Sequence, residues 1–292
     1  MKARAPGKIV LTGAYAVLAG APALVIAVDR HAVADSARPD PAPSPELRAA
    51  FGTDPAPSVD TSALFEGPHK LGLGSSAAVV VAALAAALPA EELERPEGRR
   101  RLFQRARAAH AEAQGGGSGI DVAASTYGGV LEYRMADVEP KIRTWPEGLL
   151  LDVFFSGASA KTSGLLARVR ALAERDPAAH ATFMAELLAA SVHAARDFED
   201  ATRFVAAAQR FGRALAALGA AAGANIVTPA FADLAARAEA SQAAFFGAGA
   251  GGGDVAVRLG TEPASAAFLG RATELGLRRL RLSIEPRGAV HS

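Results

Sequence analysis

The chain has 292 residues, half of them hydrophobic, with a formal net charge of +1 and no cysteine. That length and hydrophobic share predict a substantial core split between two lobes. The near-neutral charge excludes a nucleic-acid or polyanion surface, so any anion site must be local. The missing cysteines exclude disulfides and cysteine-based catalysis, and the six histidines show no zinc spacing. No signal-peptide pattern follows Met1. The apolar stretches 11–28 and 77–88 are broken by Gly or Pro, or are too short to span a bilayer. A cytoplasmic protein with neither a membrane nor a nucleic-acid partner is expected.

In chain order, residues 9–12 and 24–28 read as strands joined by a turn-rich connection. Residues 35–60, rich in Pro, Ala, Asp and Ser, read as a mobile surface loop. A helix is expected from Ser76 to about Pro89 and a charged one over 97–114. The glycine run 115–119 then leads through Asp121 into a helical turn and a strand over 128–133. Residues 149–155 read as a buried strand that opens a second unit. Helices follow over 165–175, 183–195, 198–218 and 233–245, then strand 255–258, helix 264–275 and strand 280–284. Strands and helices without regular βαβ alternation predict an α+β fold, divided into lobes 1–147 and 148–292.

Two glycine-rich runs carry the chemistry. In Lys70-Leu71-Gly72-Leu73-Gly74-Ser75-Ser76-Ala77 the glycines let backbone approach an anion, and the following helix N-terminus offers unpaired N–H groups. Ser75 and Ser76 add hydroxyls that reach a phosphate or a magnesium ion, and Lys70 supplies charge at the mouth. The order matches neither G-x-x-x-x-G-K-[ST] nor G-x-G-x-x-G, since the lysine precedes the glycines and Ala77 stands at the third glycine. Taken alone, such a run is equally a turn and helix cap, and Asp121 is equally an N-cap or a reactive carboxylate. The basic residues are mostly arginine, the lysines being Lys2, Lys8, Lys70, Lys141 and Lys161. Three of these sit in small-residue motifs, where a compact ammonium meets phosphate differently from a guanidinium fork. His193, Arg196 and Asp197 read as solvated helix surface.

Pro68-x-x-x-Gly72-Leu73-Gly74-Ser75-Ser76-Ala77-Ala78 resembles the phosphate loop of the GHMP kinases, the superfamily of galactokinase, homoserine kinase, mevalonate kinase and phosphomevalonate kinase. Ala5-Pro6-Gly7-Lys8 and its continuation to Leu18 resemble that family's first motif, and the run 247–254 its third. The resemblance implies a lobe like ribosomal protein S5 domain 2 followed by a ferredoxin-like lobe, with ATP and Mg²⁺ as cofactors. It implies that Gly72, Leu73, Gly74, Ser75, Ser76 and Ala77 hold the nucleotide and that Ser76 holds the metal. His110-x-x-x-Gln114 through Gly117-Ser118-Gly119-x-Asp121 resembles the family's catalytic-aspartate segment, which makes Asp121 and Lys8 catalytic together with the cation Lys70.

Within the family, Tyr15, the segment 156–162 and the run 249–254 resemble the phosphomevalonate kinases. Ala14 departs from the Glu that bacterial members often carry, and the chain is short for that group. The resemblance implies an acceptor site formed by Tyr15, Ser118, Gly119, Ser159, Lys161, Thr162, Ala250, Gly251, Gly252 and Asp254. Asp254 is also readable as a cap on the glycine loop. The expected reaction is ATP-dependent phosphorylation of 5-phosphomevalonate to 5-diphosphomevalonate by a monomer or homodimer. The alternatives are mevalonate kinase or another small-alcohol kinase of the family, and an inactive relative, which would have lost residues such as Lys8, Ser75, Ser76 and Asp121.

Overall fold

The computed structural model of the chain describes residues 1–158 and 162–292, the side chain of Thr162 excepted. In chain order the elements are β1 (Lys2–Thr12), β2 (Ala23–Pro39), α1 (Pro45–Phe51), β3 (Pro57–Asp60), β4 (Phe65–Glu66) and β5 (His69–Lys70). Next come α2 (Ser75–Ala86), α3 (Ala90–Glu94), α4 (Pro96–Gln114), α5 (Ile120–Tyr127), β6 (Val130–Tyr133) and β7 (Lys141–Arg143). They continue with β8 (Leu150–Phe155), α6 (Thr162–Arg175), α7 (Pro177–Arg196), α8 (Ala201–Ala222), α9 (Pro229–Ala240) and β9 (Ala244–Gly247). The last are β10 (Val255–Gly260), α10 (Ala266–Glu274), β11 (Arg278–Leu280) and β12 (Val290–His291). The result is the expected α+β, two-lobe fold.

Two compact units form, one from Met1–Ile9, Val25–Arg143 and Leu282–Ser292, the other from Val10–Leu24 and Thr144–Arg281. Continuous halves at 1–147 and 148–292 do not describe this grouping. The C-terminal strand β12 returns to pair antiparallel with β1 at Ala3↔His291 and Arg4↔Val290, so the last residues join the first unit.

The sheet of the first unit runs β12-β1-β2-β6-β7, with β3 paired to β2. Its central helix is α2, in which ten residues from Ser75 to Ala86 are buried. A helix that is apolar on every side belongs inside a core. The segment expected as a mobile loop is mostly ordered structure. β2 extends to Pro39 and pairs with β3 through Ala34↔Val59. Ser44 caps α1 by accepting from the Leu47 amide at 3.4 Å, with Pro45 in the first turn. Composition pointed to a loop; the cap and the buried Leu47 make a helix.

The second unit carries an antiparallel sheet ordered β11-β8-β10-β9. Counted along the chain these are strands four, one, three and two, the split βαβ arrangement of a ferredoxin-like lobe. The helix expected over 233–245 stops at Ala240, and 244–247 pairs with β10 as β9. The physical reason is a change of period. Phe245 packs with Phe154, Phe231 and Phe268, whereas its neighbour Phe246 meets Phe211 at a ring distance of 5.5 Å. Successive side chains serve opposite faces, as a strand allows and a helix does not.

Candidate active site

Strand β1 delivers Lys8 to the glycine-rich loop. The Lys8 amide donates to the Leu73 carbonyl at 2.8 Å, fixing strand against loop. Gly74 caps α2 in the left-handed conformation (φ 76°), and a Cβ there would lie 2.9 Å from Lys8 Cε. Glycine is therefore required twice over, for the dihedral and for the passage of the lysine stem. No side chain caps α2 and no acidic residue stands in its first turn. The first-turn N–H groups, which lack intrahelical partners, are left for an anion.

Asp121 stands in the first turn of α5, after Gly119, itself left-handed at φ 80°. Its Oδ2 lies 3.6 Å from Lys8 Nζ, an ion pair too long to be a hydrogen bond. Lys8 is almost buried, whereas the Asp121 side chain keeps 30% of its surface exposed. The carboxylate is reachable while the ammonium is held. Ser118 supports the same turn: its carbonyl accepts from Tyr133 Oη at 2.5 Å, and its Oγ accepts from the Ile120 amide at 3.3 Å. Lys70 ends the β4–β5 hairpin, half-buried, opposite Phe65.

The sequence reading left His110 without a role. It projects from α4 and its Nε2 lies 3.1 Å from Ser76 Oγ. Its pKa is lowered, chiefly by burial; Asp121 and Glu46 oppose this, while Lys70 and Lys8 push it further down. At neutral pH the imidazole is uncharged. Its only sequence signal is membership of the segment that ends at Asp121. One turn on, Gln114 donates to Glu46 Oε1 at 2.7 Å, tying α1 to the same end of α4.

The second unit holds the remaining motif residues. Tyr15 adopts a positive φ of 62°, rare for a side chain of its size, and its hydroxyl donates to the Ala250 carbonyl at 2.8 Å. Burial raises its pKa, so the phenol stays protonated. Gly252 donates to the Ile226 carbonyl at 2.8 Å. The Asp254 amide donates to the Ala158 carbonyl at 2.7 Å, and its carbonyl accepts from Ser156. The glycine-rich run is thus pinned at both ends, with Tyr15 as its strut. Tyr15→Phe is expected to lower the unfolding free energy by about 1 kcal/mol, read by urea denaturation, because the Ala250 carbonyl loses its donor. No loss would show that the bond contributes nothing net. Ser159 and Lys161 lie outside the described residues. Thr162 begins α6, and its side chain also lies outside the description. Arg196 and Asp197 pair with each other at 2.8 Å; Arg196 is largely exposed, as a solvated surface predicts, whereas the Asp197 side chain is mostly covered.

Residues 46–129 match the family described as GHMP kinases N terminal domain. A phosphomevalonate kinase of Streptomyces sp. (strain CL190) is 30% identical, over 87% of this chain and 88% of that relative. The chain belongs to the GHMP kinase family. It is a phosphotransferase. Two solved structures share the GHMP kinase fold. A Listeria innocua protein superimposes with a TM-score of 0.82 at 22% identity, covering 97% of this chain and 98% of that one. Streptococcus pneumoniae phosphomevalonate kinase, solved with phosphomevalonate and AMPPNP, gives 0.79 at 19% identity, covering 97% and 99%. Among the described residues no helix is long and apolar enough to cross a membrane. Among them, too, no three or more His, Cys, Asp or Glu gather as a metal cage. Magnesium seldom uses such a cage; it takes one or two protein oxygens and completes its shell with water and substrate phosphate. The Ser76 hydroxyl in the first turn of α2 fits that donor set.

Proposed function

We propose that this GHMP kinase uses ATP to phosphorylate 5-phosphomevalonate to 5-diphosphomevalonate in the mevalonate pathway of isoprenoid synthesis. The observation that carries the reading is the 30% identity to a phosphomevalonate kinase along nearly the whole of both chains. In this reading an oxygen of the acceptor phosphate attacks the terminal phosphorus of ATP, the bond to ADP breaks, and ADP leaves with the electron pair. Phosphoryl transfer needs positioning and charge stabilisation above all. Gly72, Leu73, Gly74, Ser75, Ser76 and Ala77 hold the nucleotide phosphates on the open α2 N-terminus. Lys8 and Lys70 supply positive charge against the repulsion of two phosphates. Magnesium, held by Ser76, would neutralise phosphate charge on ATP when bound. Ser118, Gly119, Ser159, Lys161, Thr162, Ala250, Gly251, Gly252 and Asp254 serve the acceptor, and Tyr15 serves it by holding Ala250.

A coupled ADP-release assay across phosphomevalonate, mevalonate, homoserine and galactose tests the substrate. The highest kcat/KM is expected with phosphomevalonate; a preference for mevalonate would move the assignment to the alcohol kinases. The acceptor type also predicts a contrast between variants. A phosphate monoester, with its second pKa near 6, is mostly deprotonated at neutral pH and needs no base. Asp121→Asn should then retain measurable turnover, whereas Lys70→Ala should lose about 10²-fold. With a hydroxyl acceptor the order reverses, because Asp121 would act as the base.

A further inference from the structure

The contact between Ser76 and His110 joins two helices inside the first unit, and its direction matters. A serine hydroxyl has one proton and two lone pairs. If His110 donated to it, one lone pair would be consumed and the serine proton would need another acceptor. The surroundings offer mainly donors: the first-turn N–H groups of α2, and the ammonium groups of Lys70 and Lys8, close enough to act on the imidazole. The two carboxylates in the same field are engaged elsewhere, Asp121 by Lys8 and Glu46 by Gln114. If Ser76 donates instead, its proton is parked on the ring and both lone pairs turn outward, which is the arrangement a cation or its hydrated phosphate requires.

We propose that His110 is a positioning residue that accepts the Ser76 hydroxyl proton through Nε2 and so presents the serine lone pairs to the magnesium-nucleotide. The proposal rests on the nucleotide reading of the α2 N-terminus and deepens it. His110 touches no reacting atom in this scheme. It acts through the serine, at 3.1 Å, from a helix that the fold holds against α2.

The test has two arms. In the first, long-range ¹H–¹⁵N NMR of the protein without nucleotide reads the His110 tautomer. Proton on Nδ1 is expected, with a shift of the Nε2 resonance in Ser76→Ala; proton on Nε2 would overturn the proposal. In the second, calorimetry measures AMPPNP binding with and without Mg²⁺, for variants whose thermal melts match wild type. Ser76→Ala and His110→Leu should each lose about five- to tenfold of the Mg²⁺-dependent gain in affinity. The double variant should lose no more than either alone, because the two residues act as one unit. His110→Gln, which retains an acceptor, should recover most of the gain. Additive losses, or an unchanged gain in His110→Leu, would overturn the proposal. Wild type that binds no AMPPNP would overturn the nucleotide reading and the proposal with it. The expected tautomer alongside that result would show the failure to lie in the nucleotide reading rather than in the hydrogen bond.

Discussion

Lys8→Met is expected to lower kcat by about 10²- to 10³-fold, the cost of removing one preorganised charge from a phosphoryl-transfer site. Methionine keeps an unbranched stem of similar reach, so the packing over Gly74 is preserved. What disappears is the ammonium 3.6 Å from the Asp121 carboxylate. Asp121 retains enough exposure for water to solvate it once its partner is gone. Stability should accordingly change by no more than ~1 kcal/mol. Steady-state kinetics and a urea melt on the same preparation decide the matter. Unchanged turnover with a large loss of stability would make Lys8 a structural residue of β1.

Gly251→Ala is expected to give the largest loss of stability among substitutions in the third motif, ~2–4 kcal/mol by chemical denaturation. Gly251 sits at φ 77°, and a Cβ there would lie 2.3 Å from the Ile226 carbonyl oxygen. That oxygen also accepts the Gly252 amide at 2.8 Å, so relieving the clash breaks the bond that pins the loop. Gly249→Ala is the control. Its φ is 73° but its Cβ would meet nothing within 4 Å, so only the left-handed backbone cost of about 1 kcal/mol remains. Equal losses in the two variants would place the whole cost in backbone conformation and remove Ile226 from the account.

The contrast between these two sites shows what a linear reading carries. Glycine ahead of the small and apolar residues of α2 specifies an uncapped helix N-terminus locally, because the left-handed dihedral, the missing cap and the helix that follows are all set by neighbours in sequence. Lys8, Asp121 and the loop were legible as members of motifs. Their pairing across 113 positions is a property of the tertiary fold, which ties β1 to α5 through Ser125 and Pro6 and to the loop before α2 through Lys8 and Leu73. His110 shows the limit most plainly. Nothing in the spacing of 34 residues between it and Ser76 announces a hydrogen bond; only the packing of α4 on α2 makes one.

Elements misread from composition have the same origin. Proline and small residues at 39–45 suggested a loop, but a serine cap and one fully buried leucine turn the next seven residues into α1. Phe245 and Phe246 continued a helical stretch on paper, yet each is claimed by a different cluster on opposite faces of β9. By itself the sequence determined the fold class and the family, since those rest on local conformational preference and on motif order. The tertiary structure alone decided which segments share a compact unit, which hydroxyl meets which imidazole, and that Tyr15 spends its hydroxyl on Ala250. Contacts between residues far apart in the chain follow from burial and strand pairing, and no local preference encodes them.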